Sequence, residues 1–216
     1  SPVKGNGTFS DEVEHLAGMF VFKSNEKVIE ILEENGVLLA KADYSHSYPH
    51  CWRHKTPLMF RATPQWFIGM ENNDLLKKAF SSIGSIQWEP DWGEARMASM
   101  LEGRPDWCIS RQRSWGVPIT LLVHNETGVI HSDIETIIEK VATLIEEGGI
   151  QAWHDVEVSE LTDDPESYYK VTDCLDVWFD SGVTHACVLN SNDELDFPAD
   201  LYLEGSDQHR GWFQSS

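Results

Sequence analysis

Apolar residues recur at helical spacing in four places along this chain. The strongest run is 133–147, where Ile134, Ile137, Ile138, Val141, Leu144 and Ile145 share one face. Ser132 with Glu135 has the spacing of a capping box before it, and Gly148-Gly149 stops it. Asn25 to Leu39 carries a second stripe, Val28, Ile29, Ile31 and Leu32, with Ser24 or Asn25 as cap and Asn35-Gly36 as a place to end. Weaker helices are expected over Asn73 to Ile83 and Asp91 to Leu101, the latter closed by Gly103. Alternating or compact apolar runs predict strands at Met59–Ala62, Trp66–Gly69, Trp107–Ser110, Ile119–His124, Asp176–Phe179 and Asp200–Leu203. Asn125-Glu-Thr-Gly128 reads as a hairpin tip leading into Val129–His131. Strands that alternate with helices favour an α/β arrangement. Residues 126–170, acidic and set between two aromatic-rich blocks, read as a small insertion.

Composition narrows this picture. At 216 residues with 41% hydrophobic and 11% aromatic content, the chain has material for one or two domains with a real core. No run approaches the ~18 apolar residues of a membrane span, and the opening SPVKGNGTF lacks a signal-peptide layout. Cys51, Cys108, Cys174 and Cys187 form no Cys-x-x-Cys pair, which in a chain of this size reads as reduced thiols in a cytoplasmic protein.

The formal net charge of −20 disfavours non-specific binding to nucleic acid. The charge is uneven, however. Tyr44 to Met70 holds no Asp or Glu but contains Arg53, Lys55, Arg61 and three histidines, and Arg104, Arg111 and Arg113 form a second basic knot.

Four stretches are candidates for chemistry. In LYLEGSDQHRGWF (201–213), a strand ending at Leu203, a turn at Gly205 and a helix through Gln208–Ser215 place polar residues at the carboxyl end of a strand, where open α/β sheets bind ligands. Helix capping by Ser206 or Asp207 and a surface Glu204–Arg210 pair is the competing account. His50-Cys-Trp-Arg-His54 offers Cys51 and His54 as a metal half-site, against the roughly four ligands of a structural zinc; a loop with a buried thiol competes. Arg104 to Pro118 sets arginines beside Trp107 and Trp115, suited to phosphate and base stacking or to a salt-bridge cluster. Asp173 to Gly182 reads as pocket or core aromatics, Trp178 and Phe179, followed by a turn at Asp180-Ser-Gly182. No nucleophile–base pair, Walker loop or GxGxxG is present.

Four stretches in this order, PHCWRHKTPLMFRATPQWF, RPDWCISRQRSWGVP, LDVWFDSG and YLEGSDQHRGWF, resemble the isoleucyl-tRNA synthetases of bacterial or organellar type, class I aminoacyl-tRNA synthetases. The likeness runs from about Asn6 to Ser216. It implies a ligase that forms an aminoacyl-adenylate from isoleucine and ATP (with Mg) and esterifies tRNA(Ile), acting as a monomer. It implies part of a split Rossmann-like catalytic domain, with 1–48 as the tail of the editing insertion and 49–125 as the catalytic segment after it. Residues 126–170 would then be a small α+β insertion, and 171–216 a truncated second-half nucleotide-binding segment.

Carried over by position, Glu204, Gly205, Asp207 and Gln208 match the adenylate-binding element and Trp178 a wall of the isoleucine pocket. Arg53, Lys55, Arg111 and Arg113 are the candidate tRNA or phosphate contacts. The family's His-Ile-Gly-His and Lys-Met-Ser-Lys-Ser elements are absent, so the resemblance implies a fragment that does not activate isoleucine alone. Some relatives carry Cys-x-x-Cys where this chain has Cys51 to His54, so no zinc is expected here. The alternative function is a non-catalytic module that docks tRNA or a partner through its basic knots.

Overall fold

The computed structural model describes residues 1–216, which divide into two compact units, Ser1–Pro64 and Gln65–Ser216. The chain is a mixture of helices and short strands. No helix is long and apolar enough to cross a membrane.

The first unit is held by isolated bridges rather than by a core. Val3 pairs with Phe9, Thr8 with Phe20, and His50 with Pro57. Its one α-helix, α1 (Asn25–Glu34), covers the apolar stripe and stops short of Leu39. Gly36 adopts φ +67°, and the amides of Gly36 and Val37 turn back to the carbonyls of Glu33 and Leu32, which closes the helix at the anticipated Asn35-Gly36. All the buried hydrophobic residues of the chain lie in the second unit. The strand expected at Met59–Ala62 is absent; Phe60 is exposed and the segment runs without ladder partners, because alternation alone supplies no neighbour to pair with.

The second unit begins with β1 (Phe67–Ile68), antiparallel to β2 (Trp107–Cys108). Between them, α2 (Leu75–Ile83) and α3 (Trp92–Leu101) pack through Ile83, Met97 and Leu101, with Leu76, Ala79 and Trp88 around them. Strand β3 (Ser110–Arg111) pairs antiparallel with β6 (Cys174–Leu175), and β4 (Leu122–His124) with β5 (Tyr168–Lys170). The three sheets are two-stranded and antiparallel, so no parallel sheet forms within these residues.

The best-packed part is the segment expected to be an insertion. Helix α4 (Ile134–Gly148) lays Ile137 and Val141 against Leu122, and short helices α5 (Gln151–Asp155) and α6 (Val158–Leu161) add Trp153 and Leu161. The anticipated capping box at Ser132 does not form. Asp133 occupies the cap: its amide donates to His131 Nδ1 at 3.1 Å, and its carboxylate accepts from Thr136 Oγ1 at 2.8 Å. Lys170 closes the far side of α5. Its ammonium donates to the carbonyls of Trp153 (2.7 Å), His154 (3.2 Å) and Val156, and stands 5.0 Å from the Trp153 ring centre. Burial lowers its pKa.

Two further expectations are corrected. Asp176–Phe179 is not a strand: Asp176 caps α7 (Val177–Gly182), its Oδ1 accepting the Trp178 amide at 3.1 Å. The strand propensity of Val177, Trp178 and Phe179 loses to this local cap. Asp200–Leu203 forms no strand and is unpaired, with Leu201 78% and Leu203 84% exposed. A buried strand needs partners for its amides and carbonyls, and these residues have none. Downstream, a 3₁₀ turn (Ser206–Arg210) and the short α8 (Trp212–Ser215) replace one continuous helix, broken at Gly211.

Candidate functional site

The residues around Asp176 converge because of strand geometry. Alternation puts Trp107, Ile109 and Arg111 on one face and Cys108 and Ser110 on the other. The β3–β6 register sets Arg111 opposite Cys174; two positions along, the Asp176 amide donates to the Ile109 carbonyl at 2.7 Å. Trp107 and Arg111 therefore flank the position that faces Asp176, within the diagonal reach of long side chains.

Both of them use it. Trp107 Nε1 donates to Asp176 Oδ2 at 3.2 Å, and Arg111 Nη2 reaches the same oxygen at 2.5 Å. Asp176 is 5% exposed and is the only buried charged residue of the chain. Three donors compensate the cost of burying its carboxylate. The opposite face of the strand is also satisfied: buried Ser110 donates to Gln65 at 2.7 Å and accepts the Trp66 amide at 2.9 Å.

A cleft of about 330 Å³ opens beside this network, lined by Arg111, Arg113, Trp115, Cys174, Asp176 and Asp180 among others. Asp180, one turn along α7, has its pKa raised, first by partial burial and then by the nearby Asp176 charge. Trp115 is 88% exposed, and Arg113 donates only to the neighbouring Gln112 carbonyl among the bonds of its side chain. Gly116, at φ +147°, passes so close to Cys174 that an added Cβ would lie 2.8 Å from its sulfur.

Of the residues singled out in the sequence, Trp178 lies two positions after the Asp176 cap and presents an exposed side chain. Glu204, Gly205 and Asp207 lie on the surface, with Gln208 half-buried. Glu204 Oε1 accepts Trp212 Nε1 at 3.2 Å, which ties the carboxylate to the start of α8, and Gln208 Nε2 approaches Asp207 at 3.4 Å. No Glu204–Arg210 ion pair forms within that stretch. His209 Nδ1 is buried without a hydrogen-bond partner, its ring meeting Phe213 edge-on at 5.9 Å.

In the first unit, Arg53 lies 4.9 Å over the Trp52 ring, and Lys55 sits at the left-handed φ of +57° in the loop that His50 and Pro57 close. Cys51 Sγ and His54 Nδ1 are 3.5 Å apart, and the His54 and Arg53 amides lower the Cys51 pKa. That is one pair of donors; no cluster of three or more His, Cys, Asp or Glu accompanies it. A structural zinc needs about four ligands, so the residues present do not fit one.

Sequence reasoning missed Asp176 and the engagement of Arg111. The strand at Trp107–Ser110 was legible, but Asp176 lies 65 positions beyond Arg111.

With this geometry in hand, the class is clear. A family model described as tRNA synthetases class I (I, L, M and V) matches residues 11–216, and the chain belongs to that family. Among individual relatives, it is 58% identical over its whole length to the isoleucine–tRNA ligase of Vibrio atlanticus, and 58% to that of Methylococcus capsulatus. The isoleucine–tRNA ligase of Vibrio parahaemolyticus matches at 59%, again over the whole chain. The chain spans about a quarter of the length of these relatives, 23–24%.

Proposed function

We propose that this chain is a segment of an isoleucine–tRNA ligase, in which ATP and isoleucine give isoleucyl-adenylate and pyrophosphate, and the adenylate then esterifies tRNA(Ile). The observation that carries this reading is the 58% identity to isoleucine–tRNA ligases sustained over all of the chain. ATP, with its Mg, is a substrate in this reading. The parent is a cytoplasmic monomer.

Within it, residues 49–125 and 171–216 belong to the split Rossmann-like catalytic domain, 126–170 to a small insertion, and 1–48 to the end of the editing insertion. Two features support the 126–170 assignment: the separate core of Leu122, Ile137, Val141 and Trp153, and the short β4–β5 ladder at its base.

Glu204, Gly205, Asp207 and Gln208 bind the adenylate. Carboxylate oxygens accept from ribose hydroxyls, and an amide both donates and accepts, so this set suits the polar edges of an aminoacyl-adenylate. Trp178 forms a wall of the isoleucine pocket. Arg53, Lys55 and Arg113 contact phosphates, while Arg111 acts through Asp176. Such a site works by holding two reactants in register and by fixed polar groups, with no covalent residue required.

The test is isoleucine-dependent ATP–pyrophosphate exchange. The full-length ligase containing this sequence is expected to show exchange with isoleucine, and Asp207→Asn in it to lose at least tenfold in kcat/KM. Absence of exchange with isoleucine in the full-length enzyme would remove the reading. The 216 residues alone are expected to give no exchange above background.

A further inference from the structure

Asp176 has the burial and the bonding of a residue that sets geometry. Its Oδ1 receives the Trp178 amide at 3.1 Å, while Oδ2 receives Trp107 Nε1 at 3.2 Å and Arg111 Nη2 at 2.5 Å. The helix it caps, α7, has only six residues. A helix this short has little stability of its own, so its starting direction follows from its cap. Trp178 is the second residue of that helix, and its side chain goes where the first turn goes.

The consecutive strands β2 and β3, which carry Trp107 and Arg111, anchor this turn a second time. The Trp107 ring lies 6.1 Å from the Phe179 ring, and Arg104 sits 5.8 Å over the Trp107 ring. Arg111 is itself fixed, because its Nη1 donates to the Cys108 and Ser110 carbonyls at 2.9 Å each. A guanidinium bound on both sides holds the carboxylate in one place.

We infer that Asp176, fixed by Arg111 and Trp107, is a positioning residue that sets the placement of Trp178 in the amino-acid site. This rests on the reading of Trp178 as a wall of the isoleucine pocket. Asp176 does not touch substrate; it acts through the first turn of α7. The purely structural account, in which Asp176 only caps a helix, makes a different forecast. Asn at this position still accepts the Trp178 amide through its Oδ1. Its NH₂ group, however, meets the Trp107 and Arg111 donors, so the cap survives while the anchor is lost.

The experiment uses the full-length ligase containing this sequence, with active sites counted by a single-turnover adenylate burst and steady-state exchange measured against isoleucine and ATP separately. Asp176→Asn and Arg111→Met are expected to raise the isoleucine KM by roughly tenfold, the loss of a charge-assisted hydrogen bond. The ATP KM and kcat per active site stay within about twofold, since adenylate contacts are untouched. Arg111→Lys keeps the charge and falls between wild type and Arg111→Met. Trp107→Phe removes only the N–H donor and gives a smaller rise in the same direction, and it decides the matter if Asp176→Asn does not fold. An isoleucine KM unchanged in these variants, with only the active fraction reduced, overturns the inference. Trp178→Ala separates the two levels. If it leaves the isoleucine KM unchanged, the pocket reading itself falls; if it raises that KM while Trp107→Phe and the Arg111 variants do not, only the positioning role falls.

Discussion

The ammonium of Lys170 donates to the Trp153 carbonyl at 2.7 Å while standing 5.0 Å from the centre of the same residue's ring. One cation thus closes the last carbonyls around α5 and seals the face of the most deeply buried aromatic in the chain. Lys170→Met keeps the aliphatic stem and deletes the charge. It leaves the Trp153, His154 and Val156 carbonyls without their donor. Such a loss costs about 2 kcal/mol, and chemical denaturation should show it as a lower midpoint with an unchanged slope. A change under about 0.5 kcal/mol would mean that water replaces the ammonium freely.

Gly116 is required by space as well as by backbone angle. At φ +147° an L-residue is strained, and its Cβ would press on the buried Cys174 side chain at 2.8 Å from sulfur and 3.0 Å from Cβ. Both contacts sit where the β3–β6 ladder meets the Asp176 network. Gly116→Ala should therefore destabilise the second unit by about 1–3 kcal/mol. Thermal unfolding followed by tryptophan fluorescence measures it, and an unchanged midpoint would show that the loop shifts away at no cost.

Much of the helical structure was legible in the sequence, and the reason is local. The stripes in α2, α3 and α4 each mark the face that enters a core, and the 3.6-residue period that marks it is set within the helix itself. Capping was less so. Asp133 rather than Ser132 caps α4 because His131 and Thr136 also find partners there, a choice that spacing does not reveal.

Strands depended on neighbours. Trp66–Gly69 and Trp107–Ser110 paired because each met the other, whereas Asp200–Leu203, with an equally suitable pattern, met nothing. The same logic governs the site. The residues matched to a known family were readable one by one. The bond from Arg111 to Asp176 spans 65 positions and follows from an antiparallel register that no local pattern specifies.

Asp180 gives a pH signature of definite sign. Its folded-state pKa is raised above 3.8, by burial first and by Asp176 second. From 3.8 up to the raised value the native chain binds more of this proton than the unfolded chain does. Stability contributed by this group is therefore fully present below 3.8 and is lost as pH rises through the folded pKa. Asp180→Asn removes that loss. It should stabilise the chain at neutral pH by less than about 1 kcal/mol, because the side chain is still partly solvated. The gain should vanish below pH 3.8, and unfolding midpoints across the acid range check it. Destabilisation at neutral pH would mean that the charge has a partner which Asn fails to serve.

Arg111 and Arg113 are two positions apart and should behave oppositely towards nucleic acid. Arg111 is bound to Asp176 and to two carbonyls, while Arg113 donates only to the Gln112 carbonyl beside the exposed Trp115. A phosphate gains from a cation that is free to meet it, and each such contact adds about one to the slope of log K against log salt. Salt screens such contacts, so the titrations are run from low salt upward. Arg113→Ala, Arg53→Ala and Lys55→Ala should each weaken tRNA binding by the full-length ligase and lower that slope by about one. Arg111→Met should leave the slope unchanged and alter isoleucine binding instead. An equal loss of slope at Arg111 would show that its guanidinium leaves Asp176 to reach the phosphate.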